Sequence, residues 1–336
     1  MVYNAPPPGT ADVPATAVAP AAGSAPARAI QGRAPWRLAL QRLRRDRAAM
    51  IALTVIILIA GVAIFAPVIA AITGHGVDQQ FRGPQPPIGL SPTGQPVEPS
   101  GTFLLGTDDQ GRDILVRLAY GTRISLFVGV VATAITVTLG TVVGLAAGYF
   151  GKLTDTILSR LMDWLLAVPF LLLAISLASV VLVHPIGPLG PGLPIVIFVL
   201  GVLTWASVGR IVRGQVLSIR EKEYVEAARA LGAGPWRIMF VDILPNVMAP
   251  IIVYATLLIP LAIVTEASLS YLGVGIPPPT PDWGQMINDA QNVYQYGAWW
   301  FLVFPSIALL VTTLSFNILG DGVRDAFDPR GDRLFV

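Results

Sequence analysis

The chain has 336 residues, of which 54% are apolar and only 12% are charged, and its formal net charge at pH 7 is +2. A soluble domain carries roughly twice that charged fraction, so the composition excludes an ordinary soluble globular fold. The chain contains no cysteine, which excludes disulfide bridges and thiol chemistry.

The N-terminal segment is rich in alanine and proline and has hardly any charge. Such a composition cannot build a packed core, so residues 1–35 are predicted to form a disordered cytoplasmic tail. The next segment, Trp36 to Arg47, has the pattern of a basic amphipathic helix. This helix would either lie on anionic membrane lipid or simply anchor the first span by its positive charge, and both interpretations are open.

Six apolar runs are long enough, at about 20 residues each, to cross the hydrocarbon core of a bilayer. We therefore expect an all-α polytopic membrane protein with six transmembrane helices, because a helix satisfies its own backbone hydrogen bonds in lipid. The predicted spans are Ala48–Ile72, Ile124–Phe150, Trp164–Val183, Leu193–Gly209, Val247–Leu272 and Ala298–Leu319.

Basic residues are distributed unevenly between the two sides that these spans define. Of the 22 Lys and Arg residues, only Arg82, Arg112, Arg117 and Arg123 fall on the side opposite to the N-terminus. By the positive-inside rule, both termini are predicted to be cytoplasmic. The basic excess thus has a membrane origin, and no nucleic-acid partner is expected.

Residues 36–123 are expected to hold the amphipathic segment, the first span and a long outer loop. Three aspartates near the end of this loop suggest a cation site. A calcium loop that begins at Asp108 needs an acid or amide at its fifth position and a glutamate at its twelfth, but the chain has Arg112 and Ala119 there. No metal site is therefore predicted, and Arg112 with Asp113 is expected to cap and dock a short helix.

Glycine and proline mark two features of the spans. Gly140, Gly144 and Gly148 recur every four residues and would lie on one helix face, where a neighbouring helix can approach closely. Pro169 and Pro260 lie inside the third and fifth predicted spans, and each removes a backbone donor. A kink is expected at both prolines.

Glu266 is the one acid well inside a predicted span, near its outer end. A charge in lipid costs at least about 3 kcal/mol, so the side chain should face protein or a water-filled cavity. It is either a polar group on a pathway or a structural partner for a hydroxyl or amide on another helix, with the structural role favoured. His75 and His184 lie in predicted outer loops without a catalytic pattern, and both are expected to be solvated.

A charged loop over about residues 214–245 connects the fourth and fifth spans. Four of its residues are spaced i, i+3, i+4 and i+7 and predict an apolar stripe on a short helix. These are Tyr224, Ala227, Ala228 and Leu231. Gly232 follows where a helix C-terminus favours a left-handed residue. Such a short helix is marginal alone, so we expect it to dock on a partner outside the membrane.

The loop resembles the EAA loop of ATP-binding-cassette (ABC) importer permeases. Glu226-Ala227-Ala228 is followed after three residues by Gly232, and after nine more by Asp242-Ile243-Leu244-Pro245, in which Asp242 replaces the usual first isoleucine. Four further blocks are similar to the C-type permease of the dipeptide, oligopeptide and nickel subfamily. They are Leu105–Leu126, Pro281–Asn288, Ala298–Leu310 and Phe316–Arg330.

The resemblance covers about residues 36–330 and implies a type I importer fold. It places the permease core at residues 124–322, with five spans and the EAA loop, and a cytoplasmic tail at residues 323–336. It implies that six loop residues dock on an ATPase: Tyr224, Glu226, Ala227, Ala228, Leu231 and Gly232.

The chain has no phosphate-binding loop of the G-x-x-x-x-G-K-[ST] type, so it is expected to be a transport subunit and not an enzyme. No cofactor of its own is expected, because ATP and Mg²⁺ would be bound by the partner subunits. The resemblance implies a heterodimer with a related permease, two cytoplasmic ABC ATPase subunits and an extracytoplasmic substrate-binding protein. The location it implies is the cytoplasmic membrane of a bacterium or archaeon.

The sequence is compatible with more than one transported substrate. Import of di- or oligopeptides is the favoured prediction, and nickel chelates, oligosaccharides or another small solute are the alternatives. An ion-coupled secondary transporter would usually need several ionisable groups inside the membrane, and this chain offers Glu266 alone. A membrane enzyme would need a catalytic cluster, which the sequence does not contain.

Overall fold

The computed structural model describes residues 35–83, 85–185, 188 and 190–327. The tails predicted at residues 1–35 and 323–336 therefore lie largely outside the described residues. Within these ranges the chain is helical and loop, and β-structure is limited to two isolated bridges. The predicted all-α class is confirmed.

Thirteen α-helices and one π-helical segment occur in the described residues. Their bounds are α1 Pro35–Leu43, α2 Arg47–Ile64, α3 Ala66–Thr73, α4 Ile114–Phe150, α5 Lys152–Ala167, α6 Phe170–Val183, α7 Leu193–Leu203, α8 Trp205–Ile219, α9 Glu223–Ala230, α10 Pro235–Arg237, the π-helical segment Ile238–Ile243, α11 Leu244–Tyr271, α12 Trp283–Tyr294 and α13 Trp299–Phe327.

Five continuous helical stretches in the described residues are long and apolar enough to cross a membrane, and a sixth is formed if the bent pair α5 and α6 counts as one span. The pair bends by 84° at Val168 and Pro169. Proline lacks a backbone N–H and disfavours a helical conformation in the preceding residue, so the helix breaks here. The third predicted span, Trp164–Val183, thus contains the break between α5 and α6 and is not one kinked helix.

The second span begins ten residues earlier than predicted, at Ile114 instead of Ile124. The Asp113 side chain caps α4 by accepting a hydrogen bond from the Leu115 amide at 2.8 Å. The short helix expected after Arg112 and Asp113 is therefore the first part of α4. Arg117 and Arg123, which were predicted in a loop, lie on this helix.

The fourth, fifth and sixth spans also extend beyond their apolar runs, whereas the first, predicted as Ala48–Ile72, ends at Ile64 and is followed by the separate helix α3. The fourth continues through α8 to Ile219. The fifth begins at Pro235 instead of Val247 and stays helical through Pro260. The last continues to Phe327, past both Leu319 and the tail boundary predicted at residue 323.

The core is arranged around α4. One cluster of buried residues joins α4 to α6 and α7, and it includes Val128, Ala174 and Val199. A second cluster joins α4 to α8, α9 and the start of α11, and it includes Val225 and Ile243. The loop between α8 and α11 is thus packed directly against the membrane-spanning helices.

Candidate functional site

The loop helix α9 is fixed to the rest of the chain by one buried side chain. Val225 has no exposed surface and packs in the cluster that contains Val216 of α8 and Ile243. Glu223 lies in the first helical turn and Arg229 in the last, which suits the helix dipole at both ends. The sequence pattern missed Val225 because the stripe was assigned through Tyr224 and Ala227, and Val225 lies on the other side of the helix with Ala228.

The opposite face of α9 points away from the protein. Tyr224 is 46% exposed and Leu231 is 89% exposed. Glu226 and Ala227 are also exposed, whereas Ala228 is half-buried and packs against the inner cluster. The predicted stripe therefore divides, with Tyr224, Ala227 and Leu231 forming an exposed apolar face that this chain does not cover.

α9 ends in a Schellman motif, which fixes the position of Gly232. The backbone of Gly232 has φ +83°, in the left-handed region that favours glycine. Its amide donates to the Arg229 carbonyl at 3.0 Å, and the Ala233 amide donates to the Ala228 carbonyl at 3.0 Å. A Cβ at Gly232 would have no other atom within 4 Å, so the space beside it is open.

Two exposed aromatic residues follow α9 in the same loop. Trp236 is 68% exposed and Phe240 is 45% exposed. Their rings are stacked, with centroids 5.9 Å apart and planes 11° apart. The sequence reasoning missed both, although their i, i+4 spacing in a charged loop was the available signal.

The three spaced glycines lie on the face of α4 that contacts α8. A Cβ at Gly140 would be 2.6 Å from Val208 Cβ, and one at Gly148 would be 2.7 Å from Val216 Cβ. A Cβ at Gly144 would be 2.6 Å from the Gly209 carbonyl oxygen. The two helices are thus in backbone contact along three turns.

Ion pairs tie α5 to the same helix α8. Arg213 Nη2 donates to Asp155 Oδ2 at 2.8 Å, and Arg210 Nη2 donates to Asp163 Oδ1 at 2.7 Å. Both pairs lie on the α9 side of the break at Pro169. α5 is therefore attached to α8 through its charged face as well as through buried Met162.

At the end of the molecule opposite to α9, Arg117 connects three segments. Its Nε lies 3.3 Å from Asp108 Oδ2, and its Nη1 lies 3.3 Å from Asp78 Oδ1. Nη1 also donates to the Pro279 carbonyl at 3.3 Å. Asp108 Oδ2 also accepts a hydrogen bond from Arg112 Nε at 2.6 Å. The charged groups of this cluster thus pair with one another. No group of three or more His, Cys, Asp and Glu residues that could hold a metal ion occurs in the described residues.

The acids beside this cluster are partly desolvated. Burial, and then repulsion from Asp108, raises the pKa of Asp109 to about 6. Burial likewise raises the pKa of Asp289, although Arg112 and Arg117 oppose that shift.

The expectation that His75 is solvated is wrong. His75 is buried, and its Nδ1 lies 2.6 Å from Asp113 Oδ2, the residue that caps α4. Its ring packs between Phe81 and Phe103, with centroid distances of 4.8 and 5.0 Å. The contact with Asp113 spans 38 residues, so no local pattern could reveal it. His184, in contrast, is exposed at the end of α6.

Glu266 is fully buried and lies beside a second buried acid. Its Oε1 accepts from the Ser270 hydroxyl at 3.4 Å, and Ser125 of α4 is the other hydroxyl near it. Asp282 is close enough for electrostatic repulsion between the two carboxyls. Glu266 Oε2 and Asp282 Oδ2 are both buried, and neither has a hydrogen-bond partner in the described part of the chain. The Glu266–Ser270 hydrogen bond thus lies within α11, and the carboxyl is packed beside Ser125 and Asp282 from neighbouring elements.

Asp282 is the N-cap of α12 and accepts from the Gln285 amide at 2.9 Å. Burial is the main cause that raises the pKa of Asp282, to about 7. The Gln285 amide opposes this shift, and repulsion from Asp289 adds to it. The carboxyl therefore keeps its proton to a much higher pH than an exposed aspartate does.

Residues 140–333 match the family described as binding-protein-dependent transport system inner membrane component. This match covers more than half of the chain and includes α9, Gly232 and Glu266. The chain belongs to this family. Residues 34–87 match the N-terminal transmembrane domain of oligopeptide transport permease C, which confirms the resemblance of the N-terminal span to a C-type permease.

Curated relatives agree with this assignment. The permease is 38% identical over 297 residues to the dipeptide transport system permease protein of Alkalihalophilus pseudofirmus, covering 88% of this chain and 90% of the relative. It is 40% identical over 295 residues to the oligopeptide transport system permease protein of Bacillus subtilis, with 88% and 90% covered. It is 38% identical over 290 residues to the di/tripeptide transport system permease protein of Pseudomonas aeruginosa, with 86% and 90% covered.

The chain is therefore the membrane permease subunit of a binding-protein-dependent importer, with the type I fold expected from its EAA loop. It is an inner-membrane protein with several membrane-spanning helices. Its role is that of a transport subunit.

Proposed function

We propose that the permease imports di- or oligopeptides, using ATP that partner subunits hydrolyse. The observation that carries the proposed coupling is the exposed apolar face of α9, which Val225 anchors to the membrane-spanning helices. Peptide as substrate is supported by relatives from three genera, which are dipeptide, oligopeptide and di/tripeptide permeases. α9 and both chain termini would lie in the cytoplasm, in accordance with the basic residues of those segments.

In this proposal, Tyr224, Ala227 and Leu231 insert into a groove on a cytoplasmic ABC ATPase, and Glu226 and Gly232 border that contact. Two ATPase subunits serve one heterodimer of this permease with a related permease. An extracytoplasmic binding protein delivers peptide at the opposite end, and the helices move between inward-open and outward-open states. ATP and Mg²⁺ bind only to the ATPases.

The coupling assignment is tested with Gly232→Asp. The substitution places a charge on the exposed face, where no atom of this chain obstructs it. We expect at least a tenfold loss of ATPase subunits that copurify with the complex, a similar loss of uptake, and normal membrane insertion.

Gly74→Asp is the matched control for this variant. Gly74 also ends a helix with a left-handed backbone, at φ +72°, and it also has open space beside it, but it lies at the end of the molecule opposite to α9. This control should keep the ATPases and the uptake. Unchanged ATPase association and uptake in Gly232→Asp would contradict docking through α9.

The substrate is tested by reconstituting the permease pair, the ATPases and the binding protein in liposomes. We expect ATP-dependent accumulation of a labelled dipeptide that excess unlabelled tripeptide reduces. Accumulation of a nickel chelate or an oligosaccharide without peptide uptake would overturn peptide as the substrate.

A further inference from the structure

A cavity of about 280 Å³ lies between α4, α7, α8 and α11, near the middle of their apolar runs. None of the described residues that line it is charged. Five hydroxyl side chains line it, together with apolar groups such as Phe170 and Leu258. The hydroxyl residues are Thr133, Thr136, Thr204, Ser207 and Thr265. Such a collection of hydroxyls deep among lipid-spanning helices is neutral but capable of hydrogen bonding.

The cavity lies at the junction of α7 and α8, which form one membrane-spanning stretch. α7 ends at Leu203 and α8 begins at Trp205, and Thr204 between them keeps a right-handed backbone with φ −98° and ψ −7°. The Thr136 hydroxyl lies 3.1 Å from the carbonyl oxygens of Leu200 and Gly201 and 2.8 Å from the Thr204 hydroxyl. Irregular backbone at membrane depth is tolerated where protein groups satisfy it or where it lines a cavity.

Two of the hydroxyls are available to a ligand. Thr133 is 95% buried, as its exposed fraction is 5%, and its Oγ1 has no hydrogen-bond partner among the described residues. Thr265 donates only to the Leu261 carbonyl of its own helix, at 2.7 Å, so its oxygen can still accept. A buried hydroxyl without a partner costs about 1–3 kcal/mol, and a ligand that bonds to it would remove this cost.

The cavity adjoins a face of α11 that the chain leaves uncovered. Leu261, which lines the cavity, is 59% exposed, and Val264 beside it is 41% exposed. The cavity volume of about 280 Å³ is just below the range for complete small-molecule sites, about 300–1,000 Å³. The cavity can therefore hold part of a solute, and the remainder of the site would come from a facing subunit.

We propose that this cavity is the permease's share of the translocation path and that its hydroxyls bind the backbone amides of a peptide in transit. The inference rests on the proposed function. A hydroxyl both donates and accepts, so it pairs with an amide N–H or a carbonyl oxygen alike. Because the lining residues carry no charge, no charged group there selects for or against a charged side chain of the peptide. Thr133 and Thr265 are the residues that would bind the peptide backbone.

The test uses Thr133→Val and Thr265→Val, which remove a hydroxyl with little change in volume. Thr313→Val is the control, because Thr313 is also half-buried and also donates to carbonyls of its own helix, but it does not line the cavity. The complete transporter is reconstituted with its ATPases and binding protein. One lost hydrogen bond is about 1 kcal/mol, so each cavity variant should import dipeptide about fivefold more slowly at an unchanged ATPase rate. The control should match wild type.

A second readout uses the absence of native cysteine from this chain. Thr265→Cys and Thr313→Cys are labelled with a maleimide in the complete transporter. We expect dipeptide, added with binding protein and MgATP, to slow labelling at least threefold at position 265 and to leave position 313 unaffected.

The outcomes separate the two proposals. The inference alone is overturned if the wild-type transporter imports dipeptide, both valine variants import it equally fast, and peptide does not slow labelling at position 265. The cavity would then be assigned to lipid. A wild-type transporter that imports another solute and no peptide would overturn the proposed function, and the peptide site with it.

Discussion

Gly144→Ala should destabilise the permease, although alanine is the better helix former. The new Cβ would lie 2.6 Å from the Gly209 carbonyl oxygen and 2.7 Å from Val212 Cβ. Favourable contacts between such atoms begin at about 3.5 Å, so α4 and α8 must separate by roughly 1 Å. Overpacking of this kind costs about 1–3 kcal/mol, and the helix propensity of alanine returns about 1 kcal/mol. We expect a net loss of about 1 kcal/mol in the free energy of unfolding.

Gly214→Ala is the matched control, because it makes the same chemical change inside α8. No atom lies within 4 Å of a Cβ at Gly214, so only the propensity acts and the variant should gain about 0.5–1 kcal/mol. The free energies are measured on purified permease by titration with a denaturing detergent in mixed micelles, with helical circular dichroism as the signal. The close-contact reasoning is refuted if Gly144→Ala is as stable as Gly214→Ala.

Two further predictions concern the end of the molecule opposite to α9. The pKa of Asp282 is raised to about 7, against about 3.9 in an unfolded chain, so the stability that this carboxyl contributes is complete below about pH 4 and is lost as the pH rises towards 7. Asp282→Asn keeps the cap, so its free energy of unfolding should match that of wild type near pH 4. At pH 8 it should exceed the wild-type value by a few kcal/mol, on the order of 1.4 kcal/mol per pKa unit. A difference between the two proteins that does not change with pH would contradict this. Arg117→Gln removes the buried guanidinium that joins Asp108 to the Pro279 carbonyl, which should lower the free energy of unfolding by about 3–5 kcal/mol. Limited proteolysis should then cut the loop before α4 faster. The control Arg82→Gln changes an exposed arginine and should leave cleavage unchanged.

The sequence indicated the elements whose pattern is local. The helix α9 and its left-handed end at Gly232 followed from spacing and residue type, and the structure places both in the charged loop. The glycine spacing likewise predicts a face of close approach. It could not predict that the neighbour is α8, because the choice of partner depends on contacts between distant parts of the chain.

The errors have a common physical origin. Hydropathy reports contact with lipid and not helical conformation, so it placed the start of the second span at Ile124 and missed the charged first turns from Ile114. Long-range pairing was also invisible. His75 is buried by Asp113, 38 residues away, and Glu266 acquires an acidic neighbour, Asp282, from outside its own helix.

The helix that contains Glu266 has a mechanical consequence. From Pro235, beside the loop helix α9, it runs without interruption for 37 residues to Tyr271. At 1.5 Å per residue this rod is about 55 Å long, well beyond the roughly 30 Å of a hydrocarbon core. A rotation applied at its loop end must therefore reappear as a rotation of Glu266 against Asp282, unless the rod bends. Three interior positions of this rod lack a backbone donor, Pro245, Pro250 and Pro260, and a bend that absorbs the rotation would form there.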